Sequence, residues 1–157
     1  MASEDLTPIL FYTDSAQFGE FSNYYKPASP ITWEGAKYPT SEHAFQAAKF
    51  KYPGADKHSL AYAEEIRKAS TPNKARYLDK GVRFRPSWET VRDDVMRDIL
   101  GCKFTQDAHC RALLVGTGQR PIVEHTKRDS YWGDGGDGTG QNKLGKMLME
   151  VRDALKS

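Results

Sequence analysis

Helical punctuation recurs from residue 40 to residue 116 and again near residue 144, which leaves room for short strands only. Thr40 or Ser41 suits an N-cap, with Glu42 in the first turn of a helix reaching about Phe50. Leu60 to Ala69 reads as a second helix, and Thr71-Pro72 is a cap followed by proline at a first helical position, opening a third that ends near Gly81. Trp88, Val91, Val95 and Ile99 are spaced three, four and four apart and mark a longer fourth helix. Ala108 to Val115 makes a fifth, stopped by Gly116 and Gly118. The last helix carries Leu144, Met147, Leu148, Val151 and Leu155 along one face, a core-packing pattern. Between them lie Ile9–Tyr12, Ile31–Tyr38 with a turn near Gly35, and Ile122–Glu124, all suited to short strands. The expected fold is therefore mainly α with a small β component.

A chain of 157 residues is long enough for one real core and too short for two ordinary domains. No repeat, low-complexity tract or linker breaks it, so one domain over residues 1–157 is expected. Hydrophobic residues make up 38% and charged residues 28%, which separates the chain from disordered sequences. A net charge of +2 neither requires nor excludes a nucleic-acid partner, because a local basic patch can hide in the sum. No apolar run approaches membrane-spanning length, and Met1-Ala-Ser-Glu-Asp-Leu has neither a basic start nor an apolar secretion core. A cytoplasmic or nuclear protein with no membrane partner is expected. Cys102 and Cys110 form no Cys-x-x-Cys pair and read as core thiols, and the four histidines are scattered. No metal and no cofactor is expected.

Asp129-Ser-Tyr-Trp-Gly-Asp-Gly-Gly-Asp-Gly-Thr-Gly-Gln-Asn142 is a glycine-dense loop that runs straight into the last helix. Glycines let backbone amides approach a ligand, and a helix start presents unpaired N–H groups and a positive dipole end, so a phosphate fits such a place. The loop lacks Gly-x-x-x-x-Gly-Lys-[Ser/Thr], and Asp134 and Asp137 lack the alternating oxygen ligands of a calcium loop. Carboxylates beside a phosphate cradle suggest chemistry on a phosphorylated sugar. The competing reading is a mobile surface loop.

The first helix holds a polar stripe. At roughly 100° per residue Glu42, Gln46 and Lys49 share a narrow arc, while Ala44, Ala47 and Ala48 point elsewhere. A solvated helix face explains this as well as a shared ligand does, although Glu42 and Lys49 stand two turns apart rather than at surface-pair spacing. Near a helix start the dipole favours the carboxylate of Glu42, which suits an electrostatic stabiliser, base or nucleophile. Lys49 has three open roles: a point charge for phosphate, a proton donor, or an imine-forming amine. Trp33 and Trp88 read as core residues. Trp132, flanked by Tyr131, Gly133 and Asp134, sits where helical burial is not expected and suits a stacking platform for a base or sugar face. Asn23, in Phe21-Ser22-Asn23-Tyr24, offers a donor and an acceptor for sugar hydroxyls, but taken alone it reads as a turn residue.

Taken together and in order, these segments resemble the NADAR family of YbiA-like N-glycosidases. The resemblance rests on Phe21-Ser22-Asn23-Tyr24, on Tyr38-Pro-Thr-Ser-Glu42-His43-Ala-Phe-Gln46-Ala-Ala-Lys49-Phe50, on Ser87-Trp88-Glu89, on Glu124 to Gly135, and on Gly140-Gln-Asn142-Lys143-Leu144-Gly145. It covers nearly the whole chain.

The resemblance implies hydrolysis of the bond between ribose C1 and a base nitrogen. Two substrate kinds follow from it: phosphorylated pyrimidine intermediates of riboflavin synthesis, and ADP-ribose carried on guanine bases of DNA or RNA. It implies Glu42 as the leading catalytic position, with Lys49, Trp88, Asp129 and Trp132 around the sugar. Breaking a ribosyl C–N bond builds positive charge at C1, so a fixed carboxylate lowers the barrier while a donor helps the base depart. The expected site is thus Glu42, Lys49 and Asp129 for catalysis, with Asn23, Gln46, Trp88, Trp132, Gly133, Asp134, Asn142 and Lys143 binding substrate. Loop amides with Lys143 are expected to receive the phosphate. The alternative is a reader module that binds ADP-ribose without cutting it.

Overall fold

The computed structural model describes residues 4–156. Met1–Ser3, part of the start read above as lacking a secretion core, lie outside the described residues.

The elements run β1 (Ile9–Phe11), a 3-10 turn (Gly19–Phe21), β2 (Ile31–Trp33), β3 (Ala36–Tyr38), α1 (Ser41–Ala48), α2 (Lys57–Arg67) and α3 (Pro72–Tyr77). They continue with α4 (Trp88–Gln106), α5 (Ala108–Gly116), β4 (Ile122–Glu124) and α6 (Lys143–Lys156). The chain is mainly helical with a small β component. Among the described residues no helix is long and apolar enough to cross a membrane. Two compact units emerge: Lys26–Lys103, and the residues up to Tyr25 together with those from Phe104 onward.

In the unit of residues 26–103, β2 and β3 form an antiparallel hairpin with Ile31 opposite Tyr38 and Trp33 opposite Ala36. Its turn residues Glu34 and Gly35 have φ of 48° and 79°. Both are left-handed, as a two-residue type I′ turn requires. Trp33 Nε1 donates to Asp98 Oδ2 at 2.7 Å, fastening the hairpin to α4. α1 is the centre of this unit, with α2, α3 and β3 against it. Thr40 is its N-cap: its hydroxyl oxygen accepts from the His43 amide at 3.2 Å.

Among the boundaries that differ from the sequence expectation, three have a clear local cause. α1 ends at Ala48, since the Phe50 and Lys51 amides both bond to Ala47 O and tighten the last turn. α2 begins three residues before Leu60 because Asp56 caps it, accepting from the Ser59 amide at 2.8 Å. α3 stops at Tyr77, short of Gly81: Leu78 turns extended, and its carbonyl accepts from the Tyr62 hydroxyl at 2.6 Å.

In the other unit β1 and β4 pair in parallel, Ile9 opposite Ile122 and Phe11 opposite Glu124. Ile9 and Phe11 are buried while Leu10 between them is 51% exposed, the alternation of a half-buried strand. α6 packs against β4 and α5. Its buried face holds Leu144, Met147, Leu148 and Val151 of the five positions the spacing predicts, Leu155 being only partly buried; they are joined by a buried Arg152 whose guanidinium donates to Arg120 O at 2.7 Å and Thr117 Oγ1 at 3.1 Å. Phe21 is buried among Phe11, Phe18 and Phe104. Cys110 is a core thiol as expected, whereas Cys102 is only partly buried.

Candidate active site

In α1 the polar stripe is not a solvated face. Glu42 is 7% exposed and Gln46 9%, on a helix whose eight residues are all buried. The three side chains are wired in series: Gln46 Nε2 donates to Glu42 Oε1 at 2.8 Å, and Lys49 Nζ donates to Gln46 Oε1 at 2.8 Å. A carboxylate only accepts and an ammonium only donates, so the glutamine amide has one orientation that satisfies both.

Lys49 caps the C-terminus of α1 and is half-buried. Its Nζ stands 5.0 Å from the ring centre of Phe84 and 5.9 Å from that of Phe45. Burial pushes its pKa below the ordinary lysine value; Glu42 opposes that shift, and Arg76 on α3 adds to it. A lysine held this way has a larger share of neutral amine near pH 7 than a surface lysine, so it is a better nucleophile. The backbone keeps it in place, with the Arg85 amide donating to Lys49 O at 2.8 Å. Arg76 and Phe84 were not among the residues read from the sequence. Both lie on short or irregular segments with no spacing signal, and only folding brings them to α1.

Trp88 is 6% exposed, and its ring lies 5.2 Å from Phe45. That is the core packing expected for the head of an amphipathic helix.

In the other unit, the loop is held by two aspartates. Asp129 Oδ1 accepts from the amides of Tyr131 at 2.9 Å and Trp132 at 2.8 Å. Asp134 is buried: its Oδ1 takes the amides of Gly136 at 2.8 Å and Thr126 at 3.1 Å, and its Oδ2 pairs with His125 Nδ1 at 2.8 Å. Burial alone would raise the Asp134 pKa, but these three hydrogen bonds and the His125 charge outweigh it and hold the group below the usual carboxylate range.

The phosphate cradle expected from the glycines is not what the loop amides build. Amides of Asp134, Gly135, Gly140, Gln141 and Asn142 bond to loop or β4 carbonyls, and those of Lys143 and Leu144 at the start of α6 bond to Tyr131 O and Trp132 O. The helix start has given its donors to the protein's own backbone. Gly133 explains why glycine is needed: a Cβ there would lie 2.9 Å from both Asp129 O and Glu124 O. Asn142 holds β4 with both ends of its amide, Nδ2 to Ile122 O at 3.0 Å and Oδ1 to the Glu124 amide at 2.9 Å. Lys143 Nζ lies 3.2 Å from the Tyr131 hydroxyl, and Trp132 is half-buried, edge-on to Tyr131 at 4.9 Å. Asn23 occupies a turn closed by Tyr25 N to Ser22 O at 3.2 Å. Among the described residues no cluster of three or more His, Cys, Asp or Glu is placed to hold a metal.

The family model of the NADAR domain matches residues 10–156. The chain belongs to the NADAR family. Among its NADAR relatives is the N-glycosidase YbiA of Escherichia coli, 47% identical over 95% of this chain and 89% of that protein. A riboflavin biosynthesis protein of Vibrio vulnificus is 37% identical over 95% of this chain and 39% of its own length. The NMR structure of E. coli YbiA superposes with a TM-score of 0.82 at 46% identity, over 98% of this chain and 88% of that one.

Proposed function

We propose that this protein removes the base from a ribosylated, phosphate-bearing substrate, with Glu42 and Lys49 as its catalytic pair. At the level of reaction class the chain is a hydrolase of N-glycosyl bonds. One observation carries the assignment: a buried carboxylate and a half-buried, pKa-depressed amine are held on one helix by a common amide. A carboxylate and an ammonium kept one side chain apart retain their separate chemistry.

Glu42 stabilises the positive charge that develops at C1 as the base departs. The neutral amine of Lys49 adds to C1 while the C1–N bond to the base breaks, and an amine proton goes to the departing nitrogen. Opening of the sugar ring converts the adduct to an imine. Water then returns the free sugar and the amine, so atoms balance over the cycle. Arg76, close enough to depress the Lys49 pKa, is a cation for the substrate phosphate.

Phosphorylated pyrimidine intermediates of riboflavin synthesis are the favoured substrates, because relatives from Vibrio vulnificus and Zea mays are named riboflavin biosynthesis proteins. The second reading, ADP-ribose on guanine bases of nucleic acid, draws on the exposed adjacent pair Lys127 and Arg128. Both substrate kinds should be offered to wild type and to Glu42→Gln, with released base followed by mass spectrometry. Wild type is expected to release base from one kind, and Glu42→Gln to keep its fold while losing on the order of a hundredfold or more in rate. Wild-type turnover by Glu42→Gln would refute the pair, and bound but uncut ligand in wild type would make the protein a reader of ADP-ribose instead.

A further inference from the structure

Gln46 stands between two groups of opposite charge and is in contact with both, at 2.8 Å on either side. It is 9% exposed, so solvent does not compete strongly for its amide. Lysine has a flexible four-carbon stem ending in a point charge, and the carboxylate lies on the same helix face two turns away. With the space between them empty, nothing would stop that stem from folding back onto the carboxylate. A direct pair would neutralise Glu42 and hold Lys49 in its protonated form, removing the stabilising anion and the nucleophile together.

We propose that Gln46 is a positioning residue that keeps Glu42 and Lys49 apart as separate groups, the amide satisfying each while preventing their direct ion pair. Glutamine suits the position because an amide presents N–H on one side and C=O on the other; an aliphatic side chain offers neither, and a glutamate offers two acceptors. The charged groups acting on Lys49 are Glu42 from α1 and Arg76 from α3, with the rings of Phe45 and Phe84 beside it. The Arg85 side chain is directed to Ala48 O at 3.4 Å at the end of the same helix. Gln46 is therefore the side chain whose replacement changes the balance between the two reacting groups without removing either.

Gln46 has this role only if Glu42 and Lys49 carry the reaction proposed above, and a substrate-free measurement separates the two ideas. The protein, with Gln46→Ala and Gln46→Glu variants, is treated with acetic anhydride across a pH series, and acetylation of Lys49 is quantified by peptide mass spectrometry. Both variants are expected to move the Lys49 labelling midpoint upward by about one pH unit or more, since each brings a carboxylate onto the amine. Their pH-rate profiles should shift the same way, with kcat falling more than KM changes. A merely structural role would lower the thermal midpoint and leave the labelling midpoint in place. Midpoints that coincide with wild type in both variants overturn the proposal. An unchanged rate in Glu42→Gln alone overturns the catalytic pair, not the effect of Gln46 on Lys49.

Discussion

His43 Nε2 lies 2.9 Å from the carbonyl oxygen of Ala69, which closes the start of α1 onto the segment between α2 and α3. A carbonyl only accepts, so Nε2 carries the proton. The other nitrogen, Nδ1, then accepts from the Thr40 hydroxyl at 2.8 Å. The histidine is 1% exposed, and a neutral ring satisfies every contact.

A pH dependence of stability follows. Burial is the largest effect on His43 and holds its pKa below the ordinary 6.5; the bond to Ala69 opposes it, and the Lys26 charge adds to it. Below that ordinary value the unfolded chain takes up a proton the native state resists, so the native state loses stability as the pH falls under 6.5. His43→Gln should be less stable at pH 7.5 by about 1 to 2 kcal/mol, from the lost hydrogen bonding. Its stability should also fall less than wild type between pH 7 and pH 5. Urea unfolding at the three pH values checks this, and parallel losses in the two proteins would remove His43 as the titrating group.

Lys49 should be trapped. Borohydride added during turnover is expected to leave a sugar-derived mass on the peptide holding Lys49, because the lowered pKa provides neutral amine to form the imine. Lys49→Arg cannot form an imine and should lose at least about a hundredfold in rate, the scale expected for a positioned catalytic group. Turnover without an adduct on wild type would leave the lysine as a proton donor only.

Gly133→Ala should destabilise the loop. The new methyl would sit 2.9 Å from two backbone carbonyl oxygens, which cannot swing aside, and 2.9 Å from Cγ2 of the buried Thr126. A cost of about 1 to 3 kcal/mol is expected from such overpacking. A melting temperature equal to wild type would show that the loop gives way there.

Asn142→Asp tests the anchoring of β4. The variant keeps an acceptor for the Glu124 amide but faces Ile122 O with a second oxygen in place of Nδ2. Leaving that carbonyl unsatisfied against a carboxylate should cost about 1 to 3 kcal/mol. Faster amide hydrogen exchange at β4 is the matching local readout, and unchanged exchange would argue that β1 alone holds the strand.

The sequence determined the elements. A cap at Thr40 or Ser41, the cap at Thr71, proline at the start of α3, and three-and-four spacing in α4 and α6 act through neighbours a turn away, so they were legible without a fold. The arc of Glu42, Gln46 and Lys49 was legible for the same reason. Tertiary structure decided the rest. That this arc is buried and not solvated, that α3 stops where Tyr62 takes the Leu78 carbonyl, and that Arg76 and Phe84 reach Lys49 all depend on residues far apart in sequence. It also decided that the glycines serve the loop's own carbonyls, since an amide's partner is fixed by the path of the backbone and not by the residue that bears it.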